Sequence, residues 1–256
     1  MPGVERHVFA ELDYAVAGGV ARIRLNRPDQ LNAFTSRLYG ELKLAVRQAG
    51  ADPSVDIIVL TGTGRAFATG GDLKESLVRL ESGDPLAMHA FYDNFPWSEI
   101  RACPKVVIAA VNGLCLAGGA IVALCCDISV AVESARFALT EGKVGMADSL
   151  GPALLHARVG TAKLKYLVLT GRMIDAREAE RIGLVTEVVP DERLEDRVAE
   201  IVAELRETSP EARRRYKELV NSHTPLPADG GVPVFSPEAM EALRAFAEGR
   251  KPDYRP

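Results

Sequence analysis

The stretch Ala66-Phe67-Ala68-Thr69-Gly70-Gly71-Asp72-Leu73, which follows the apolar run Asp56-Ile57-Ile58-Val59-Leu60-Thr61-Gly62, decides how this chain folds. An apolar run closed by glycine reads as a buried strand. Glycines followed by Asp and a charged segment read as a turn that opens a helix. The same order recurs further on. Val106-Val107-Ile108-Ala109-Ala110-Val111 leads into Asn112-Gly113-Leu114-Cys115-Leu116-Ala117-Gly118-Gly119, and an apolar helix runs from Gly119 to Cys125. A strand, a glycine and a helix start leave backbone N–H groups free at one spot, with the positive end of a helix dipole behind them. One such turn could cradle a phosphate. Two that converge could hold a single oxygen between two donors, as an oxyanion hole does.

The flanking sequence fills in an α/β pattern. Tyr14-Ala15-Val16 and Val20 to Leu25 alternate around Gly18-Gly19, which predicts a hairpin. Asn26-Arg27-Pro28-Asp29 stops the second strand. Leu38, Leu42, Leu44 and Val46 then mark an amphipathic helix capped by Thr35 or Ser36. A strand over Ile57–Thr61 precedes the first glycine turn, and a charged helix follows over Leu73–Glu81. Ser82-Gly83-Asp84-Pro85 breaks it, and one further helix is expected up to about Arg101. Strands are expected at Lys105–Val111, Ile128–Val132 and Arg136–Leu139. Strands that alternate with helices predict an α/β fold. From Asp191 the composition turns charged and helical, with helices over Asp191–Glu207, Pro210–Asn221 and Pro237–Glu248 and a Pro/Gly-rich linker over His223–Val234. Residues 1–190 therefore form the expected core, and 191–256 a helical C-terminal region whose apolar positions pack on that core or on another subunit.

Size and charge exclude several classes. With 256 residues, 47% hydrophobic and 26% charged, the chain can bury a large core. A net charge of −4 without a basic block argues against nucleic acid as a partner. No apolar run is long enough to span a membrane. The N-terminal segment carries Glu5, Arg6, His7, Glu11 and Asp13 and lacks the apolar core of a signal peptide, which predicts a cytoplasmic protein. Cys103, Cys115, Cys125 and Cys126 form no CxxC pair and have no histidine at metal-ligand spacing, so they read as buried hydrophobes, with Cys115 the one alternative nucleophile. No metal and no redox cofactor is indicated.

The order of motifs resembles the crotonase, or enoyl-CoA hydratase/isomerase, superfamily. The matching pieces are Leu25-Asn26-Arg27-Pro28 with Leu31-Asn32-Ala33, Ala66-Phe67 through Gly70-Gly71-Asp72-Leu73, and Ala109-Ala110-Val111-Asn112-Gly113 through Gly118-Gly119. They continue with Cys126-Asp127-Ile128, Ala135-Arg136-Phe137-Ala138-Leu139 with Glu141, Leu169-Thr170-Gly171, Ala176 through Gly183-Leu184-Val185, and Gly249-Arg250-Lys251-Pro252. The likeness implies a crotonase-like spiral of ββα units, with two packed sheets and surrounding helices, plus a helical C-terminal region. It implies homotrimers or dimers of trimers and an acyl-CoA thioester substrate, with coenzyme A part of the substrate rather than a cofactor. By motif position the amides of Gly71 and Gly118 would hold the thioester oxygen. The stretch Ala68 to Lys74, including Asp72 and Leu73, would line the CoA site. Phe246 and Lys251 would approach CoA, across a subunit boundary or within one chain.

Two departures bear on the reaction. Relatives that hydrate a double bond carry two glutamates. The first falls three residues after the second oxyanion glycine, where this chain has Ile121. The second matches Glu141, the candidate general acid/base. One glutamate resembles the arrangement of Δ3,Δ2-enoyl-CoA isomerases, in which one carboxylate moves a proton from C2 to C4 and no water needs activation. Met146-Ala147-Asp148-Ser149-Leu150-Gly151 also departs from the pattern. Counting back from Leu169 places Asp148 where some relatives, dienoyl-CoA isomerases among them, carry an active-site aspartate; counting forward from Glu141 places Ser149 there. Asp148 equally suits the cap of a helix beginning near Leu150. The alternatives to isomerisation are hydration, a specialised hydrolase, decarboxylase or dienoyl-CoA isomerase using Asp148, and CoA binding without catalysis. His7, His89, His156 and His223 match no catalytic motif. Phe91 and Trp97 read as pocket wall or core, and Arg213-Arg214-Arg215 as a solvated helical face.

Overall fold

The computed structural model describes residues 8–228, 231 and 233–254. His7 and part of the Pro/Gly-rich linker lie outside these residues. The chain opens with the expected hairpin, β1 (Leu12–Ala17) and β2 (Val20–Leu25), turning through Gly18 and Gly19 at φ 54° and 81°. That pair of positive φ values is the turn that matches strand twist, and glycine adopts it without strain. Helix α1 (Ser36–Ala51) starts at Thr35, whose side chain accepts from the Leu38 amide. Its buried face carries Leu38, Tyr39, Leu42, Ala45, Val46 and Ala49; Leu44, expected on that face, is exposed.

Three strand pairs then repeat one manoeuvre. They are β3 (Ile57–Gly62) with β4 (Ala66–Ala68), followed by α2 (Leu73–Ser82), α3 (Pro85–Asp93) and α4 (Trp97–Ala102), and β5 (Val106–Val111) with β6 (Leu114–Leu116), followed by α5 (Gly118–Cys125). The third is β7 (Ile128–Val132) with β8 (Arg136–Ala138), followed by the short strand β9 (Met146–Ala147), α6 (Leu150–Val159) and α7 (Thr161–Thr170). The chain continues through β10 (Ile174–Asp175), α8 (Ala176–Arg181), β11 (Glu187–Val189), α9 (Leu194–Arg206), α10 (Pro210–Ser222), β12 (Val234–Phe235) and α11 (Ala239–Ala247).

Among the described residues the first strand of each pair joins a six-stranded sheet of order β1-β2-β3-β5-β7-β11, parallel from β2 onward. The second strand joins a four-stranded sheet of order β10-β8-β6-β4, and β12 pairs antiparallel with β9. This is the crotonase-like spiral of ββα units. β3 and β5 are buried along their whole length, which is why they read as unbroken apolar runs.

The corners between the sheets are set by side-chain amides. Asn32 is fully buried; its Nδ2 donates to the carbonyls of Thr63, Ala66 and Phe67, and its Oδ1 accepts from the Arg27 amide. Asn112 does the same at the next corner, accepting from the Gly62 amide and donating to the Gly64 carbonyl. Gly113 follows because a Cβ there would lie 2.2 Å from the Arg65 carbonyl oxygen.

Two expectations are corrected. The segment after Pro85 forms two helices, because Asn94-Phe95-Pro96 interrupts it and proline cannot supply the amide that a continuous helix needs. The glycine turns each contain a short strand, so the unit is ββα rather than strand–turn–helix. In the C-terminal part, α9 packs on β5 and β7 of the large sheet, and α11 packs on α2 of the same chain.

Candidate active site

The two glycine turns meet. The first follows β4. Gly70 (φ 93°) accepts the Phe34 amide at its carbonyl, and the Asp72 amide donates to the Phe34 carbonyl, at 2.7 and 2.8 Å. This stitching uses the groups on either side of Gly71 and turns the Gly71 N–H to the opposite side. Asp72 then caps α2, accepting from the amides of Lys74 and Glu75 at 3.1 and 3.2 Å, and is itself met by Arg27 at 3.2 Å.

The second turn follows β6. Ala117 adopts φ 49° and ψ −126°, a conformation rare for a residue with a Cβ. Its amide donates to the Ala138 carbonyl and its carbonyl accepts from Ile121. Gly118 is therefore the first residue of α5, and its amide has no intrahelical acceptor. A Cβ on Gly70 would fall 3.3 Å from the Gly118 nitrogen and 2.6 Å from the Ala117 Cβ; a Cβ on Gly118 would fall 3.6 Å from the Gly70 Cα. At position 70 only glycine allows this approach. Helix α5 is buried throughout, so its dipole points at Gly118 from an apolar surround.

Glu141 opens a short 3₁₀ turn after β8 and is partly exposed. Burial first, and the negative charge of Asp148 second, push its carboxyl from the ordinary 4.5 up to about 8, against a smaller opposing pull from the backbone amides of Glu141 and Thr140. Asp148 caps α6, its Oδ1 accepting the Gly151 amide at 2.5 Å. A Cβ on Gly151 would touch both the Asp148 carboxylate, at 3.2 Å, and Ile121 Cγ1, at 3.6 Å. Ile121 and Asp148 are thus neighbours at one end of the site, and the capping role and the charge on Glu141 belong to the same carboxylate. Ser149 makes no side-chain cap.

Tyr39, on the buried face of α1, also reaches this place. A Cβ on Gly118 would lie 2.4 Å from its Oη, and the charges of Glu141 and Asp148, after burial, raise its phenol well above the usual 10. Nothing in the sequence reading singled it out. The available signal was a phenol on the core face of the helix that follows Asn32.

The remaining predicted residues are placed as follows. Ala68 is fully buried in β4. Leu73 and Lys74 begin α2, with Lys74 exposed. Phe246 is exposed on α11, and Lys251 is exposed beyond its end. Phe91 and Trp97 pack edge-on to Tyr39. The four cysteines are free and buried, and burial raises Cys115 far above its ordinary 9, which removes it as a nucleophile. His89 faces Asp93 at 3.6 Å, and His156 Nε2 lies 2.8 Å from the Thr161 hydroxyl. Arg214 and Arg215 pair with Glu211 and Glu218 on the α10 surface, while Arg213 turns back to the Leu205 and Thr208 carbonyls. A separate cleft of about 610 Å³ beneath α10, lined by Asp127, Arg158 and Lys217 among others, shares no residue with the glycine turns.

The fold defines a crotonase-superfamily enzyme. The family model described as enoyl-CoA hydratase/isomerase matches residues 15–255. A probable enoyl-CoA hydratase of Mycobacterium bovis is 35% identical over 245 residues, covering 92% of this chain and 94% of that protein. A probable enoyl-CoA hydratase of Rhizobium meliloti is 36% identical over 250 residues, covering 93% and 95%. The crystal structure of an enoyl-CoA hydratase from Mycobacterium avium subsp. paratuberculosis superposes with a TM-score of 0.81 at 29% identity, over 97% of this chain and all of that one (100%). The chain belongs to the enoyl-CoA hydratase/isomerase family.

Proposed function

We propose that this enzyme moves a proton on an acyl-CoA thioester through an enolate, most directly as a 3-enoyl to 2-enoyl isomerase that uses Glu141 alone. The Glu141 carboxylate takes a proton from C2. The electron pair delocalises onto the thioester oxygen, where the amides of Gly71 and Gly118 stabilise it. The Glu141 carboxylic acid then returns the proton to C4 as the double bond settles between C2 and C3. Each amide of such a pair is worth about 10²–10³ in rate. A carboxyl raised to about 8 is a strong base once ionised, matched to an α-proton better than an ordinary carboxylate is.

The observation that carries this reading is Ile121, an aliphatic side chain beside Asp148 where a second glutamate would orient water. The CoA portion would run along Ala68 to Lys74, with Lys74 available for phosphate and Phe246 and Lys251 approaching from α11. Residues 191–256 would cap the core and build a trimer or a dimer of trimers in the cytoplasm, and no cofactor besides the substrate's own CoA is required.

A second reading is favoured by the negative charge of Asp148, which helps raise the Glu141 carboxyl and so puts a second carboxylate in its neighbourhood. Hydration, or dienoyl-CoA isomerisation, would then use both, and the relatives named as hydratases agree with the first of these. Assaying 2-enoyl-, 3-enoyl- and 3,5-dienoyl-CoA side by side separates the cases. The isomerase reading expects 3-enoyl-CoA to be the fastest substrate. Faster hydration of 2-enoyl-CoA overturns it.

A further inference from the structure

We propose that the Tyr39 hydroxyl is a further donor to the substrate's thioester oxygen, so that a side chain joins the backbone amides in holding the oxyanion. This role rests on the acyl-CoA reading of the site given above and adds to it a residue that the chemistry would not otherwise require.

Geometry is the first argument. The Tyr39 ring is fixed on its faces and edges: it stacks on Phe34 with centroids 4.3 Å apart and planes at 9°, and meets Phe95, Trp97 and Phe91 edge-on at 5.0, 5.6 and 5.9 Å. An aromatic held on all sides has one place for its para substituent. Here that place is against Gly118, close enough that any Cβ at residue 118 would collide with the oxygen at 2.4 Å. Tyr39 and Gly118 are therefore fitted to each other, and the oxygen lies beside the helix N-terminus that would bind the thioester.

The second argument is that the hydroxyl is unspent. Its interactions with Glu141 and Asp148 act through space, without a hydrogen bond to either. The residue is only 4% exposed. Phenylalanine would make every ring contact described above, so the hydroxyl adds nothing to the packing of the ring. Burial together with two neighbouring carboxylates keeps the phenol protonated at any working pH, so it can donate and cannot act as a base.

The test is Tyr39→Phe, with Glu141→Gln measured alongside. Exchange of the C2 protons of butanoyl-CoA in D2O, followed by NMR, reports enolate formation whichever net reaction the enzyme performs. The expected result for Tyr39→Phe is a loss of about 10²-fold in exchange rate and in kcat, with KM changed by less than threefold and a melting temperature equal to or above that of the wild type. In addition, the carbonyl stretch of bound 13C-labelled thioester should move to higher frequency, since a donor has been removed. Exchange within twofold of wild type together with an unmoved carbonyl band would overturn the role of Tyr39 while leaving Glu141 in place. Wild-type exchange that survives Glu141→Gln would instead overturn the underlying proton-transfer reading, whatever Tyr39 does.

Discussion

Replacing Glu141 by Gln should make the protein more stable at alkaline pH while abolishing turnover. In the folded state the carboxyl holds its proton up to about 8, and in the unfolded state only to the ordinary 4.5. Between those values the folded protein binds a proton that the unfolded chain has released. Stability therefore falls as pH rises through that window, and the loss is complete above the upper value. At about 1.4 kcal/mol per pH unit the full penalty is at most about 5 kcal/mol. The residue keeps some solvent exposure, which screens the charge and brings the expected figure to about 3 kcal/mol. Glutamine keeps the shape and carries no charge, so the variant escapes the penalty. The two proteins should melt together near pH 4.5 and diverge steadily to pH 9, where the variant should lead by roughly 6–12 °C, at about 2–4 °C per kcal/mol for a chain of this size. Parallel thermal melts by circular dichroism across that range measure the divergence. Curves that stay parallel, or a variant that melts lower at pH 9, would refute the idea that Glu141 is held in a desolvated site. Retained turnover would remove it from the proton transfer.

The remaining predictions concern its neighbours. Asp148→Asn removes the second cause of the raised Glu141 carboxyl while keeping an acceptor for the Gly151 amide, so the alkaline rise of kcat/KM should shift to lower pH with little loss of stability; an unmoved pH–rate profile would show that the two carboxylates are not coupled. Asn32→Ala removes the donor to the Thr63, Ala66 and Phe67 carbonyls and the acceptor of the Arg27 amide, the Ala66 carbonyl alone keeping Asn112 as a second donor, and urea unfolding should show a loss above about 2 kcal/mol; a loss under about 1 kcal/mol would mean that the corner is held by other contacts. Gly118→Ala drives a methyl group into the Tyr39 oxygen, so its destabilisation should shrink by about 1 kcal/mol or more in a Tyr39→Phe background. Strict additivity of the two changes would place Tyr39 elsewhere.

Much of this arrangement could be read from the residues. The long strands β3 and β5 announce themselves as unbroken apolar runs because both their faces are buried. The Gly18-Gly19 hairpin follows from turn chemistry alone. The short strands β4 and β6 were hidden, since three residues carry no period and both lie inside what reads as a glycine turn, whereas β8 was expected at Arg136–Leu139. The break between α3 and α4 was marked by Pro96 yet lost among helix-forming neighbours. Leu44 shows the limit of periodicity: it fits the apolar stripe of α1, but the neighbouring small residues Ala45 and Ala49 take the buried face.

At the site, the two glycine turns were legible from the order of strand, glycine and helix start, whereas the choice of Gly71, Gly118 and Glu141 came from motif position in the family resemblance. Asp148 was legible only as a pair of alternatives, and it proves to be both a helix cap and the charge that acts on Glu141. Tyr39 was not legible. A tyrosine on a buried helix face is ordinary core, and what distinguishes this one is where its oxygen ends up. That depends on Gly118, far away in sequence, and on the ring clamp around it.

The most direct measurement is a crystal structure with an acyl-CoA bound to the Glu141→Gln protein. The thioester oxygen should lie 2.7–3.1 Å from both the Gly71 and the Gly118 nitrogens, the usual reach of such donors, with the residue 141 side chain over C2. A thioester oxygen that meets neither nitrogen, or an acyl chain directed away from residue 141, would contradict the account.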